Sequence, residues 1–423
     1  MVEDILLGDD FLRQLMSVGE VDLLVAIPSY NNAGTIGQTV QAIEESYQQN
    51  FIRDRVVILN VDGGSTDHTT DLVSAMDGRR AVGYRGLTSL RTVHRVTTQY
   101  AKSPSQGMAL RTILATADLL RARSCAIVSP TTTNLDASWI ANLLRPAYRQ
   151  NFEFVAPLYT RDRYHGLLAR NLLYPMNRAV FGQRIREVFS EEWGFSGRLA
   201  SECLSQNVWN DEAVRARPEA WMAVTAICSD FKCCQSFLGP KMPPASGSAL
   251  DIVEVIRQTV GSLFRCLETH QEHWLNRSGS QAVPTFGPDH ELTSDGKPAN
   301  QEKIFGLFRS GVTELDPILG AILTADTHAQ IKETAALDQE KFRLGGELWV
   351  KTLYEFAASY HHAVINRDHV IQALVPLYRG SMYSFFLEHA ESSPEEIEAD
   401  SESLCLEFER QKPYLVERWK AKG

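Results

Sequence analysis

Residues 23–36 read LLVAIPSYNNAGTI and residues 56–73 read VVILNVDGGSTDHTTDLV. Each opens with a short apolar run, Leu23–Ile27 unbroken and Val56–Val61 interrupted at Asn60, and stops at Pro28 or at Asp62-Gly63-Gly64. Each then passes through a polar turn into a helical stretch. Continuous apolar runs of this length mark strands buried on both faces, as in a parallel sheet. Working outward, helices are expected over 35–49, about 66–76 and 107–121, with a weaker strand at 92–96 and another at 125–128. Strands and helices alternating at this length imply an α/β domain with a doubly wound, mostly parallel sheet. Ligands bind such sheets beyond the carboxyl ends of the strands, so the places to look are Pro28–Asn32, Asp62–Asp67 and Ser129–Asn134.

The 423 residues are 44% hydrophobic and 22% charged, with 42 basic against 52 acidic residues and a net charge of −10. That length suits two or three domains, or one large domain with an appendage. The acidic balance argues against a nucleic-acid binder, which needs a basic face for phosphates, and against an anionic lipid surface. There is no apolar run of about eighteen residues to cross a bilayer. The start, MVEDILLGDD, is acidic where a signal peptide is basic and then apolar, so a cytoplasmic location is expected. Seven cysteines without CxxC pairing read as reduced, mostly buried thiols.

From about Ala249 the pattern changes to amphipathic helices over 249–274, 299–325, 345–363, 367–390 and 394–411, with 276–298 as the linker candidate. Ser393-Pro394-Glu395-Glu396 is a helix start with a cap, a first-turn proline and acids at the positive end of the dipole. The expected division is an α/β domain over 1–248 and a helical domain over 249–423, the latter packing on the sheet domain or on another subunit.

At the end of the second strand, Asp62 can accept hydrogen bonds from a nucleobase or ribose, Gly63 and Gly64 let the backbone pass close to that ligand, and Ser65 or Thr66 can cap the next helix. Each strand-turn-helix junction alone also reads as plain turn chemistry. Two of them, on the first two strands of one sheet, favour a ligand site.

With these motifs the chain resembles family 2-type glycosyltransferases of the GT-A fold, and among them the bacterial mannosylglycerate, glucosylglycerate and glucosyl-3-phosphoglycerate synthase group. The resemblance extends through YRGLTSLRTVHR (84–95), ALRTIL (109–114), FVAPLY (154–159), GFSGRLA (194–200), FLGPK (237–241), LYEFAASYHHAV (353–364), LVPLYRGSMYSF (374–385) and KPYLVERW (412–419). It implies a Rossmann-like nucleotide-sugar domain followed by a helical domain, with Pro28, Tyr30, Asn31 and Asp62 lining the nucleotide pocket. Family members use Mg²⁺ or Mn²⁺, held by an Asp-x-Asp motif at the end of the fourth strand and by a histidine after the GPK-like turn. Here those positions carry Ser129 and Thr131 and, around Pro243, no histidine, so no metal cofactor is expected. Asp136 is the one nearby carboxylate. The family's phosphate-side lysine loop reads Ser105-Gln106-Gly107, leaving Gln106 in the nucleotide set.

The glycine-glycine-acid segment reads Phe189-Ser190-Glu191-Glu192-Trp193, making Glu192, with Glu191 beside it, the candidate acid–base pair. Glu219-Ala220-Trp221-Met222 matches a later aspartate-containing segment of the family with glutamate substituted, and reads as a helix anchor. Without a metal, the departing diphosphate needs cations drawn from Arg91, Arg95, Lys102, Arg111, Arg161, Arg163 and Lys241. Arg161 and His165 fall where the family handles the acceptor. The expected activity is hexosyl transfer from a UDP-glucose- or GDP-mannose-type donor to a small acceptor such as glycerate or 3-phosphoglycerate. The alternative is an inactive paralogue serving as a nucleotide-sugar-binding or protein-interaction module. A serine hydrolase using Ser196 fails because the GxSxG spacing is not met. The long helical tail is compatible with a homodimer.

Overall fold

A computed structural model describes residues 6–75, 93–99, 105–242, 251–287 and 300–421. Ten strands are present among them: β1 (Leu23–Ser29), β2 (Val56–Asp62), β3 (Val93–Gln99), β4 (Ser124–Ile127), β5 (Phe154–Thr160), β6 (Gln183–Arg184), β7 (Trp193–Ser196), β8 (Cys233–Pro240), β9 (Gln281–Ala282) and β10 (Thr285–Phe286). The chain falls into two compact units. The first holds Met1–Tyr159, Glu187–Gly247 and Val283–His290, and the second Thr160–Arg186, Ser248–Ala282 and Glu291–Gly423. The boundary expected at 248 is therefore not a single cut: 160–186 belongs with the helices and 283–287 with the sheet.

The first unit is built on an eight-stranded sheet in the order β10-β8-β5-β7-β4-β1-β2-β3. β1 runs parallel to β2 on one side, with Ser29 opposite Asp62, and to β4 on the other. β2 and β3 are also parallel, whereas β7 is antiparallel to both β4 and β5. The expected mostly parallel α/β sheet is what forms. Every residue of β2 is buried, the polar Asn60 and Asp62 included. Helices 36–50 and 137–150 pack Ile36, Val40, Ile43, Trp139 and Leu143 into the same core as Val25, Ile27 and Ile58.

β5, β7 and β8 of this sheet are not among the four expected strands, and β7 is the shortest of the three. It has four residues, and two glycines of the motif serve close packing rather than chemistry. A Cβ on Gly194 would lie 2.1 Å from the Leu143 carbonyl oxygen, and one on Gly197 2.0 Å from that of Ala122. Ser196 caps the following helix by accepting from the Leu199 amide at 3.1 Å. The linker candidate 276–298 contains β9 and β10. β10 pairs with β8 beside the Gln235 N–H bond to the Pro284 carbonyl (2.9 Å), which satisfies edge donors that would otherwise lack partners; residues 288–298 lie outside the described set.

The second unit is mainly helical: 252–269, 271–274, 301–314, 316–322, 325–336, 346–361, 367–388 and 394–420. The single expected helix over 299–325 breaks at Leu315, where Pro317 starts a new segment, and 325–336 was not anticipated. Ser393 and Glu396 form the reciprocal capping box that the sequence signals. The last helix passes its expected end at 411 despite Pro413. Buried Lys412 donates to the carbonyls of Val180 (2.9 Å) and Arg277 (2.7 Å) there. All seven cysteines are unbridged and all but Cys228 are buried. No described helix is long and apolar enough to cross a membrane.

Candidate active site

The strand order reverses direction between β1 and β4, and the crevice beyond that point is where doubly wound sheets take ligands. A cavity of about 260 Å³ lies there. Pro28, Ser29 and Tyr30 reach it from the end of β1, and Ser129, Pro130 and Thr131 from the end of β4. Gln106, Leu110 and Ile113 line it from helix 106–119, Glu191 and Trp193 from the start of β7, and Pro218 and Glu219 from helix 218–228. Five of the expected nucleotide-side residues, Pro28, Tyr30, Gln106, Ser129 and Thr131, thus surround one cavity together with Glu191.

Asn31 and Asp62 do not line it; they hold the adjoining loops in shape. Asp62 is fully buried and accepts from the amides of Gly64 and Ser65 (both 2.8 Å) and from the hydroxyls of Ser65 (2.5 Å) and Ser29 (3.2 Å). Asn31, at φ 52°, donates its amide to Ser65 Oγ (2.8 Å) and accepts from the Thr66 amide (2.9 Å). Asp67 accepts from the Ala33 amide at 2.9 Å and from Thr69, which holds its carboxyl below the usual range. The helix start expected at Ser65 or Thr66 therefore moves to Thr69, because Ser65 is spent on Asp62. Four donors converge on one buried carboxylate, so Asp62→Ala should cost about 2–4 kcal/mol in urea unfolding. A loss below about 0.5 kcal/mol would show that Asp62 does not hold the loop.

Glu192 lies behind the cavity and is fully buried. Its carboxylate accepts from Thr132 Oγ1 and the Tyr159 hydroxyl (both 2.5 Å) and from Lys241 Nζ (2.7 Å). Burial, the largest single influence, works to raise its pKa, but the Lys241 ammonium and the two hydroxyls together outweigh it and leave it below the usual value. Burial, and after it the same carboxylate, pushes the Tyr159 phenol well up. Lys241 is delivered by the turn after β8, where Asn134 bridges the Pro240 carbonyl (2.6 Å) and the Met242 amide (3.2 Å). Glu192 is thus an ionised anchor for Lys241 rather than a group poised to exchange protons. Glu191 is half exposed, with Lys241 Nζ 4.0 Å away and Thr131 donating to it at 3.4 Å.

Glu219 is the residue whose environment the sequence conceals. It is 3% exposed, lines the cavity, and burial pushes its carboxyl up to about 7. Arg217, 3.4 Å away, pulls in the opposite direction but too weakly to restore the usual value, while the Glu191 charge adds to the rise. Its sequence context, Pro218-Glu219 at a helix start, is that of an ordinary first-turn acid, and nothing local signals its burial.

Around the positions where the resemblance implies metal ligands, the described side chains are otherwise engaged. The Ser129 and Thr131 hydroxyls bond each other at 2.8 Å. Asp136 turns to its own helix, accepting from the Ser138 amide (2.7 Å) and hydroxyl (2.6 Å). Among the described residues no three His, Cys, Asp or Glu side chains are grouped to hold an ion; Pro243 lies outside them.

Of the expected cations, Arg91 and Lys102 lie outside the described residues, Arg95 pairs with Glu44, and the Arg111 guanidinium stands 5.8 Å over Trp209. Arg161, Arg163 and His165 fall in the second unit. There Arg163 donates to the carbonyls of His389 (3.0 Å) and Ser392 (2.7 Å), and His165 bonds Asp162.

No known family model matches the chain, and no curated protein does. Among solved structures, glucosyl-3-phosphoglycerate synthase from Mycobacterium tuberculosis, in complex with Mn²⁺, uridine diphosphate and glucosyl-3-phosphoglycerate, is similar at 16% identity. That match covers 62% of this chain and 84% of that one, with a TM-score of 0.42. Mannosyl-3-phosphoglycerate synthase from Rubrobacter xylanophilus is similar at 15% identity over 64% and 80% of the two chains, with a TM-score of 0.41.

Proposed function

We propose that this chain transfers a hexose from a nucleotide-sugar of UDP-glucose or GDP-mannose type to a hydroxyl of a small acid such as glycerate or 3-phosphoglycerate, without a divalent metal. The observation that carries this reading is Glu219, a buried carboxyl held near neutrality and facing a cavity at the strand-order reversal. Buried carboxyls tuned toward 7 inside a ligand crevice are general acid–base groups in many enzymes. In the step, the bond from sugar C1 to the diphosphate oxygen breaks with its electron pair on the diphosphate. The acceptor oxygen bonds C1, and its proton passes to Glu219. Gln106, Ser129 and Thr131 offer neutral hydrogen bonds to the donor. The metal-free assignment rests on the donor chemistry at 129–136, and Arg161 and His165 are the acceptor-side residues on resemblance alone.

A second reading has its own observation. Among the described residues that line the cavity, the charged ones are Glu191 and Glu219, both acidic, so a diphosphate meets no neutralising partner there. That arrangement suits a binding module that no longer transfers sugar. Calorimetric titration with each nucleotide-sugar, with and without Mn²⁺, together with nucleotide release in the presence of glycerate or 3-phosphoglycerate, separates the two. Transferase function predicts saturable donor binding that Mn²⁺ changes by less than about threefold, under 1 kcal/mol, and acceptor-dependent release. Binding without release supports the module, and the absence of both ends the nucleotide-sugar reading.

A further inference from the structure

An indole N–H is a donor only, and when buried it ordinarily finds an acceptor. In the second unit three do so. Trp274 donates to the Leu267 carbonyl (2.9 Å), Trp349 to the Asn171 carbonyl (2.9 Å) and Trp419 to the Gln271 side chain (3.1 Å). In the first unit Trp193, Trp209 and Trp221 keep Nε1 buried with no partner. Trp209 and Trp221 meet edge to face at 5.3 Å, an arrangement in which a ring N–H can rest on a neighbouring π face. Trp193 has no ring contact among the described residues, and its setting is different. It is 6% exposed and lines the cavity of the proposed transfer. It opens β7, where it pairs with Ile127 of β4 across the antiparallel ladder, so the sheet itself fixes its backbone at the cavity wall.

The remaining lining says what kind of oxygen would meet this donor. Leu110 and Ile113 form apolar wall, and the charged lining groups are Glu191 and Glu219, both acidic. Carboxylates repel phosphate and carboxylate oxygens but accept well from hydroxyls. A polyhydroxyl ring answers the whole set: its O–H groups donate to the carboxylates, its C–H faces lie on the apolar wall, and one of its oxygens accepts from the indole. We propose that Trp193 is a sugar-binding residue whose Nε1–H donates to an oxygen of a neutral hexose seated in this cavity, with the diphosphate and the acceptor's acid groups left outside it. The inference rests on the transfer reading for the identity of that ring as the donor's hexose. Nε1 is closed to water, so the indole turns slightly as the sugar seats, and a buried donor without a partner gains one.

The test is heteronuclear NMR of the indole N–H groups in the full chain, with the Trp193 signal assigned through bonds and checked as the one that Trp193→Phe removes. Glucose and mannose are the neutral probes, and inorganic phosphate and glycerate the anionic ones. The expected result is a saturable shift of the Trp193 signal with at least one hexose and none with either anion, while the signals of Trp274, Trp349 and Trp419 stay fixed. Trp193→Phe keeps an apolar ring and loses the donor, so hexose affinity should fall about tenfold with the melting temperature little changed. A Trp193 signal unmoved by both hexoses, an equal shift with phosphate or glycerate, or undiminished hexose affinity in a folded Trp193→Phe protein would each overturn the inference. Calorimetric titration of UDP-glucose and GDP-mannose into the same sample tells its failure from that of the transfer reading. Donor binding with a fixed Trp193 signal overturns the indole contact and leaves the transfer reading standing, whereas a hexose shift without donor binding keeps the sugar contact and removes the transfer.

Discussion

Lys241→Met should destabilise the protein by about 3–5 kcal/mol at neutral pH, the largest effect expected of any single substitution at the cavity. The reason is the partner it leaves behind. Glu192 is fully buried and ionised, and among the described residues the Lys241 ammonium at 2.7 Å is the cation bonded to it. Thr132 and Tyr159 would still donate, but two neutral hydroxyls do not replace a charge in a site closed to water. The pH dependence has a definite sign. In the native protein the Glu192 carboxyl is held below its ordinary value, so its contribution is present above the unfolded pKa of about 4.5 and is lost as pH falls through the lower folded value. Without Lys241, burial dominates and the folded pKa rises above the unfolded one. The deficit of the variant should then be smaller at pH 5 than at pH 8. Glu192→Gln added to Lys241→Met should recover much of the loss, because no charge remains to be buried. Urea unfolding of the three variants at both pH values checks this. A single-variant loss under about 1 kcal/mol, or a double variant no better than the single, would show that the pair does not hold the turn after β8 in place.

Much of this architecture is legible in the chain because each relevant residue announces itself locally. Leu23–Ile27 is apolar on every position and Val56–Val61 on every position but Asn60, so they read as strands covered on both faces, and their ends at Pro28 and Asp62 point to the carboxyl edge of the sheet. Ser129 and Thr131 follow by the same argument from the run beginning at Cys125. Ser393, Pro394 and Glu396 specify a helix start through backbone chemistry that needs no tertiary partner. What stayed hidden depends on contacts between distant segments. β7 is too short to show a period, and its glycines are explained only by Leu143 and Ala122 lying against them. Asp62 has the composition of a ligand-binding residue, yet its carboxylate is occupied by Ser29 and by its own turn. Glu191 and Glu192 look alike as neighbours, and only Lys241, far along the chain, makes one an anchor and leaves the other at the cavity.

Glu219→Gln should stabilise the protein at alkaline pH and suppress transfer, and the two effects together test whether the carboxyl is held near neutrality for chemistry. Its folded value of about 7 lies above the ordinary 4.5 because burial penalises the charged form. The folded protein therefore binds the proton more readily than the unfolded chain across that interval. The native carboxyl's contribution is fully present below about 4.5 and is lost as pH rises through 7, at up to about 1.4 kcal/mol per pH unit and about 3 kcal/mol in all. The amide cannot ionise, so the variant's melting temperature should change much less between pH 5 and 8, and it should exceed the native value at the upper end. Activity runs the opposite way. A base must be ionised to accept the acceptor's proton, so native transfer should rise with pH through about 7, and the variant should lose about 10²- to 10⁴-fold with donor affinity little changed. Melting curves across the pH range, set beside initial rates of nucleotide release, separate the possibilities. Flattened melting with unaltered rates would assign Glu219 to the architecture of helix 218–228 alone, whereas flattened melting with a lost rate places it on the acceptor hydroxyl.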